Sequence, residues 1–260
     1  MIPIDEALAR RLLQAQQPHL AEASLEFVAA GWDNVMFRLP THGLLLRLPR
    51  RPEAGPLMEA EQRWLGTLAQ RLPLRIPVPV VCGRATDFYP WPWSVVAWVD
   101  GQPADRSELT DPVREAERLA HFLLALHQPS FSEAPANPYR GVPLQARAAL
   151  FESGLAKLPE DVPADPLLRR WTDLMRTPVW SGPPVWIHGD LHSANILVSG
   201  GTLCSVIDWG DLTDGDPATD GAIAWMLFEA DARRRFFDRL RSGLLPVMAR
   251  RSRHARKRGP

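Results

Sequence analysis

Cysteine is scarce in this chain: Cys82 and Cys204 are the only two among 260 residues. They form neither a disulfide framework nor a thiolate metal spacing, which points to a reducing compartment. Long apolar runs are missing as well. The longest, around Val95 to Val99, is far short of the ~18 residues a membrane-crossing helix needs, and it suits a buried strand. The opening "MIPIDEALARRLL" carries Asp5 and Glu6 and lacks the basic-then-apolar pattern of a secretory leader. No internal repeat and no low-complexity block stands out. The sequence therefore predicts a soluble, cytoplasmic, globular protein with no membrane partner.

Net charge is also absent, with 30 basic and 30 acidic residues, but the balance is uneven along the chain. Residues 250–260 hold six Lys and Arg and no acid, leaving 24 basic against 30 acidic residues elsewhere. No aromatic or apolar side chain interleaves those charges, so the end reads as a solvated, disordered tail and nucleic acid is not expected as a partner. A chain of 260 residues that is 45% hydrophobic is long enough for one large domain or two lobes.

Proline is abundant, 26 residues spread as punctuation, which predicts short elements with stiff connections. "NVMFRLP" and "GLLLRLP", separated by "THG", predict a hairpin. Residues 57–72 have helical periodicity, with Leu57, Trp64, Leu65, Leu68 and Leu72 on one face. "IPVPVVCG" and "WSVVAWVDG" predict two further strands. A helix capped by Thr110 or Asp111, with Pro112 in its first turn, runs to Leu126. A Pro-rich loop, a helix before Pro178 and a nearly all-apolar helix from Pro217 to Glu229 complete the pattern. The expected class is α+β: a strand-rich N-terminal lobe (residues 1–99), a mostly helical C-terminal lobe (100–249) and a tail (250–260), with the joint near Trp98 to Gln102.

The densest chemistry lies in "HGDLHSAN", His188 to Asn195, followed by "ILVSGGTLCSVIDWGD". Gly200 and Gly201 form a good two-residue turn between apolar runs. That turn sets Asn195 opposite Val206 and Asp208 opposite Ser193, so Asn195 and Asp208 share a face. An amide oxygen and a carboxylate so placed can share one hard cation such as Mg²⁺, completed by water and phosphate. Asp190, five residues before Asn195, can accept a proton from a substrate hydroxyl. A rival set is His188, Asp190 and His192, which alternate and would face one way in an extended segment, as Zn²⁺ or Fe²⁺ ligands of a metallohydrolase. The other five histidines form no second cluster, and this set leaves Asp208 without a role.

Glu61 is the second unusual position. On the wheel of residues 57–72 it falls between Trp64 and Leu65, inside the apolar stripe, whereas Glu59 lies on the opposite face. A carboxylate there needs a partner, and Arg47 in the preceding strand is the one most available.

"HGDLHSAN", "VIDWGD" and "GDPATD", in this order and spacing, resemble the aminoglycoside phosphotransferase family of small-molecule kinases over about residues 29–229. The resemblance implies a bilobal protein-kinase-like fold and Mg²⁺-dependent transfer of the γ-phosphate of ATP or GTP to a hydroxyl of a small acceptor. By it, Asp190 is the catalytic base or hydroxyl-orienting residue, Asn195 and Asp208 hold the metal, and His188 braces the loop. His192 has no role. Arg47, paired to Glu61, contacts phosphate; its planar fork differs from the commoner protein-kinase lysine. "GWDN", Gly31 to Asn34, stands at the phosphate-covering loop, where Gly31 permits close backbone approach although no Gly-x-Gly-x-x-Gly is present. Ala97 and Val99 match hinge positions whose backbone binds the adenine edge.

Aspartates 208, 211, 214, 216 and 220 would attract a cationic acceptor such as an aminosugar, though Asp216 before Pro217 reads first as a helix cap. Family members continue past Gly-Asp-Pro-x-x-Asp with several helices over the acceptor, whereas here at most one helix and the basic tail follow. A curtailed acceptor lobe, and with it a nucleotide-binding protein with little transferase activity, stays open beside the kinase reading.

Overall fold

The computed structural model describes the backbone of residues 3–255 and the side chains of residues 3–243. Helix α1 (Glu6–Gln16) precedes β1 (Glu26–Ala30), β2 (Asn34–Leu39), β3 (Leu44–Pro49), α2 (Ala54–Ala69), β4 (Pro79–Gly83) and β5 (Trp93–Ala97). The chain continues through β6 (Gln102–Pro103), α3 (Pro112–Leu126), α4 (Ala148–Leu155), α5 (Ala164–Leu174) and β7 (Val185–Ile187). Last come β8 (Ile196–Ser199), β9 (Thr202–Val206), β10 (Thr213–Gly215), α6 (Ala218–Gly221), α7 (Ile223–Leu227) and α8 (Ala230–Ala255).

The N-terminal strands form one antiparallel sheet in the order β1-β2-β3-β5-β4. Alternation decides its two faces. Leu46 and Leu48 of β3 join Phe37 and Leu39 of β2, Val95 of β5, and Leu12 and Leu13 of α1 in one core. Arg47, between the two leucines, therefore points to the other face, where α2 lies.

A second core gathers α3, β8, β9, Trp186, Trp209 and Phe236 of α8. Trp64, Leu65 and Leu68 of α2 belong to this second core and not to the first. The segment after α2 follows them, since Val206 N donates to Arg75 O at 2.9 Å, beside β9. Residues 64–76 thus belong by sequence to the N-terminal part and by packing to the helical part. The chain leaves the first sheet after Ala97 and enters the second through β6, which pairs with β8. This is a strand-rich part beside a helical part that carries the β8–β9 hairpin, the architecture the sequence predicts.

Three local expectations are corrected. Helix α2 spans Ala54–Ala69, so Leu72 falls beyond its end. The helix expected from Pro217 to Glu229 is two short ones, α6 and α7. Gly221 lowers helix propensity at the break, and the carboxylate of Asp220 is drawn inward to partners on another segment. Helix α8 runs to Ala255, so helical backbone extends into the stretch expected to be a disordered tail; residues 256–260 lie outside the described residues. No described helix is long and apolar enough to cross a membrane.

If α2 is the strut between the cores, Leu68, fully buried, should carry a large share of the coupling. Leu68→Ala is expected to cost about 2–5 kcal/mol in denaturant unfolding. It should also lower the apparent affinity for any ligand gripped by both parts.

Candidate functional site

The segment His188 to Asn195 leaves β7 and is held by one buried carboxylate. Asp220, with no exposed surface, accepts from His188 N at 2.9 Å and from Gly189 N at 3.0 Å, and it meets His127 Nε2 at 3.0 Å. Burial alone would raise the pKa of Asp220. The hydrogen bond and charge of His127, with the charge and amide of His188, outweigh it and hold the carboxyl below its ordinary range. Gly189 has φ of 87°, which a side chain would strain, and any Cβ there would strike the Asp211 carbonyl oxygen.

His188 is fully buried, and both ring nitrogens are engaged. Nε2 bonds Ile207 O at 3.0 Å, and Nδ1 accepts from Asp190 N at 3.3 Å. Its ring lies 4.7 Å from that of Trp209, which is itself anchored by donation from Nε1 to Val206 O at 3.0 Å. This overturns the metallohydrolase alternative: the left-handed Gly189 breaks the extended run that set would need, and no nitrogen of His188 is free to bind a metal. Among the described residues no three His, Cys, Asp or Glu side chains gather as a metal-binding group.

The hairpin turn forms at Gly200 and Gly201, both with positive φ, and Ser199 pairs with Thr202. The register beyond it differs from expectation. Leu197 pairs with Ser205 but Val198 with Leu203, so Cys204 is an extra residue and shifts the ladder by one. Ile196, not Asn195, is opposite Val206, and Asn195 O accepts from Ile207 N at 2.9 Å. Asp208 follows with φ of 62°, the only non-glycine positive φ among the described residues. Aspartate tolerates that region better than most residues. A left-handed turn, rather than strand alternation, aims its carboxylate. Asn195 donates from Nδ2 to Asp190 O at 2.9 Å, which ties the amide to the loop and turns its oxygen away.

Arg47 and Glu61 form a buried two-pronged ion pair: Nη2 donates to Oε1 at 2.9 Å, and Nη1 pairs with Oε2. Glu61 is 1% exposed, whereas Glu59 faces water, as the wheel requires. Burial would lower the pKa of Arg47, but Glu61, Asp208 and Asp33 together raise it and keep the guanidinium charged.

Gly31 begins the β1–β2 turn and donates its N–H to Asn34 O at 2.9 Å. Asn34 Oδ1 is buried with no hydrogen bond among the described residues. Between them Trp32 is exposed and Asp33 accepts from Arg51 Nε at 2.7 Å. Ala97 ends β5 opposite Leu44, and Trp98 N donates to Gly43 O at 2.8 Å. The Val99 amide has no backbone partner among the described residues.

Asp190 lines a cavity of about 560 Å³. Its walls come from residues 139–147, from 174–179, and from α6 and α7. This cavity is therefore walled largely by the segment between α3 and β7, while α8 packs against α3 through Phe236 and pairs Arg235 with Glu117 at 2.6 Å. Several residues here escaped sequence reasoning. Arg140 bonds Asp190 and Asp211, Asn137 bonds Asp211, and Ser130 bonds Asp214. The second Asp of "GDPATD" could have flagged Asp220; nothing local flags Arg140 or Asn137.

Two stability tests follow. Asp220→Ala, which strands two buried amides and His127, should cost about 3–5 kcal/mol. With its pKa depressed by folding, Asp220 contributes fully above its unfolded value of about 3.9 and loses that contribution as pH falls through the lower folded value. Asp220→Asn should therefore flatten the acid side of a stability-against-pH curve. Arg47→Met alone should also cost about 3–5 kcal/mol, whereas Arg47→Met with Glu61→Leu should recover most of it, as removal of a whole buried pair does.

Three comparisons place the fold. The model of the phosphotransferase enzyme family, APH, matches residues 24–254. The GDP complex of aminoglycoside 2'-phosphotransferase-IIIa superposes with a TM-score of 0.75 at 21% identity, covering 91% of this chain and 83% of that one. A macrolide 2'-phosphotransferase, MphH from Brachybacterium faecium, gives 0.65 at 23% identity, with 90% and 82% covered. The streptomycin–ATP ternary complex of APH(2")-IIa gives 0.63 at 16% identity, with 97% and 87% covered. None of the proteins of curated function matches the sequence. The chain belongs to the phosphotransferase enzyme family.

Proposed function

We propose that this protein transfers the γ-phosphoryl group of ATP or GTP to a hydroxyl of a small molecule. The observation that carries the reading is the position of Asp190. Its carboxylate lines the acceptor cavity while its carbonyl holds the Asn195 amide, so acceptor side and metal side meet in one loop.

Arg47 binds phosphate oxygens, kept charged and aimed by Glu61. The loop of Gly31 to Asn34 covers the phosphates. Ala97 and Val99 present hinge backbone to the base edge, for which the Val99 amide is free of backbone partners among the described residues. The donors that would hold Mg²⁺ are the Asn195 amide oxygen and the Asp208 carboxylate, hard oxygen ligands few enough to leave room for water and phosphate. When bound, the ion neutralises charge on the phosphate oxygens. Asp190 orients the acceptor hydroxyl and takes its proton. Phosphoryl transfer passes through a loose transition state, so positioning and electrostatics do most of the catalysis. A purely nucleotide-binding role gives no reason for a half-exposed Asp190 carboxylate to line the cavity.

The charge offered to a cationic acceptor is smaller than five aspartates suggest. Asp211 is taken by Arg140 and Asn137, Asp214 by Ser130, and Asp220 is buried. Asp216 accepts from Ala218 N at 2.9 Å, the capping bond its sequence position implies. Arg140 and Arg147 line the cavity among Val142, Leu144, Leu174 and Met226. These walls suit an acceptor with a broad apolar face better than a polycation.

Mg-nucleotide should stabilise the wild type against heat, and Asp208→Ala should abolish that stabilisation. Asp190→Asn should keep that stabilisation and lose about 10²–10⁴-fold in turnover. A panel spanning aminosugars and large neutral hydroxyl compounds should favour the neutral ones. Unchanged turnover by Asp208→Ala would sink the assignment.

A further inference from the structure

Arg140 enters the site from outside every motif. It belongs to the Pro-rich stretch between α3 and α4, 50 residues before the aspartate it meets. Its Nη2 donates to Asp190 Oδ1 at 2.7 Å, and its Nε donates to Asp211 Oδ2 at 2.9 Å. Asp211 Oδ1 accepts from Asn137 Nδ2 at 2.8 Å. Asn137 Oδ1 then accepts from the backbone amides of Tyr139 at 2.9 Å and Arg140 at 3.2 Å. A guanidinium held through Nε and Nη2 between two carboxylates is oriented as a single surface ion pair would not be.

Both ends of the bridge are pinned where only glycine fits. On the loop side Gly189 lies against the Asp211 carbonyl, closer than any Cβ allows. On the cavity side Gly141, with φ of 66°, could take no Cβ without meeting Asp214 O at 2.9 Å, and its own carbonyl accepts from Asp216 N at 2.9 Å. Cavity wall, Arg140 and catalytic loop therefore form one fixed unit.

We propose that Arg140 is a positioning residue for phosphoryl transfer: by holding Asp190 Oδ1 it leaves Oδ2 to the acceptor hydroxyl, and it locks the acceptor wall to the catalytic loop. Asp190 Oδ2 is the oxygen that faces His192 Nε2, at 3.7 Å. In the transfer, the acceptor oxygen forms a bond to the γ-phosphorus as the bond to the β,γ-bridging oxygen breaks. The hydroxyl proton passes to Oδ2 and the nucleoside diphosphate leaves. Arg140 exchanges no proton. The proposal rests on the phosphotransferase reading.

The test compares wild type, Arg140→Met, Arg140→Lys, Asp211→Asn and the pair Arg140→Met with Asp211→Asn. Turnover of Mg-ATP and Mg-GTP is followed with the best acceptor of the panel and with water alone. Arg140→Met should lower kcat about 10–100-fold, as loss of a group that orients a reacting residue does. The nucleotide KM and the Mg-nucleotide stabilisation should not move. Guanidinium ion added to Arg140→Met should restore part of kcat, and Arg140→Lys, which cannot span two carboxylates, should recover only part. Asp211→Asn should add nothing in the Arg140→Met background, because it acts through Arg140.

A kcat for Arg140→Met within about twofold of wild type, or a nucleotide KM rising in step with the loss, would overturn the proposal. Should Arg140→Met fold poorly, Arg140→Lys carries the kinetics. Melting temperatures then test the contact, since Asp190→Asn should shift Tm clearly less in Arg140→Lys than in the wild type. Equal shifts in both would overturn it. A wild type that turns over neither nucleotide would sink the proposed function and this inference with it; an active wild type with an unaffected Arg140→Met would sink this inference alone.

Discussion

The site depends on one buried carboxylate. Asp220 is closed off from water, yet it is met by two backbone amides of the His188–Asn195 segment and by His127. An unpartnered charge in that position would be severely unfavourable, so the loop, α6 and the end of α3 must assemble together or not at all. The left-handed Gly189 then follows, because the chain has to turn sharply to bring both amides onto one carboxylate. His188 transmits this order to the hairpin by bonding Ile207 O, immediately before Asp208. His188, which looks like chemistry in the sequence, is an internal strut in the structure.

The second constraint is the double allegiance of α2. A single stripe of the helix supplies Glu61 to Arg47 under the first sheet and sends Trp64, Leu65 and Leu68 into the second core. The Arg47–Glu61 pair is therefore referenced to the part that carries Asp208 and Asp190. A pair anchored only within the sheet would be free to drift relative to the His188–Asn195 loop, and the proposed phosphoryl transfer would be sensitive to such misplacement.

Much of this was legible in the sequence. Period-2 and period-3.6 patterns placed the strands, α2 and α3, and the Asp111 cap and Pro112 start stand where they were expected. The position of Glu61 inside an apolar stripe pointed to Arg47. What failed had a common physical origin in contacts made across the chain. A two-residue turn sets the β8–β9 register only near the turn; the extra residue at Cys204 shifts the rest. The apolar run after Pro217 looked like one helix, but Asp220 within it is committed to the loop. Arg140 lies in a proline-rich segment with no periodicity, so its meeting with Asp190 and Asp211 is a property of the fold alone. The aspartates that suggested a cationic acceptor are mostly consumed by such contacts.

The central claim is that Arg47, Asn195, Asp208 and Asp190 surround a single phosphoryl-transfer path. Its most direct test is a crystal structure with Mg²⁺ and a non-hydrolysable ATP or GTP analogue. Mg²⁺ is expected on the Asn195 amide oxygen and the Asp208 carboxylate, phosphate oxygens on Arg47, and the γ-phosphate directed toward Asp190 and the open cavity. A nucleotide bound elsewhere, or with its terminal phosphate directed away from Asp190, would contradict it.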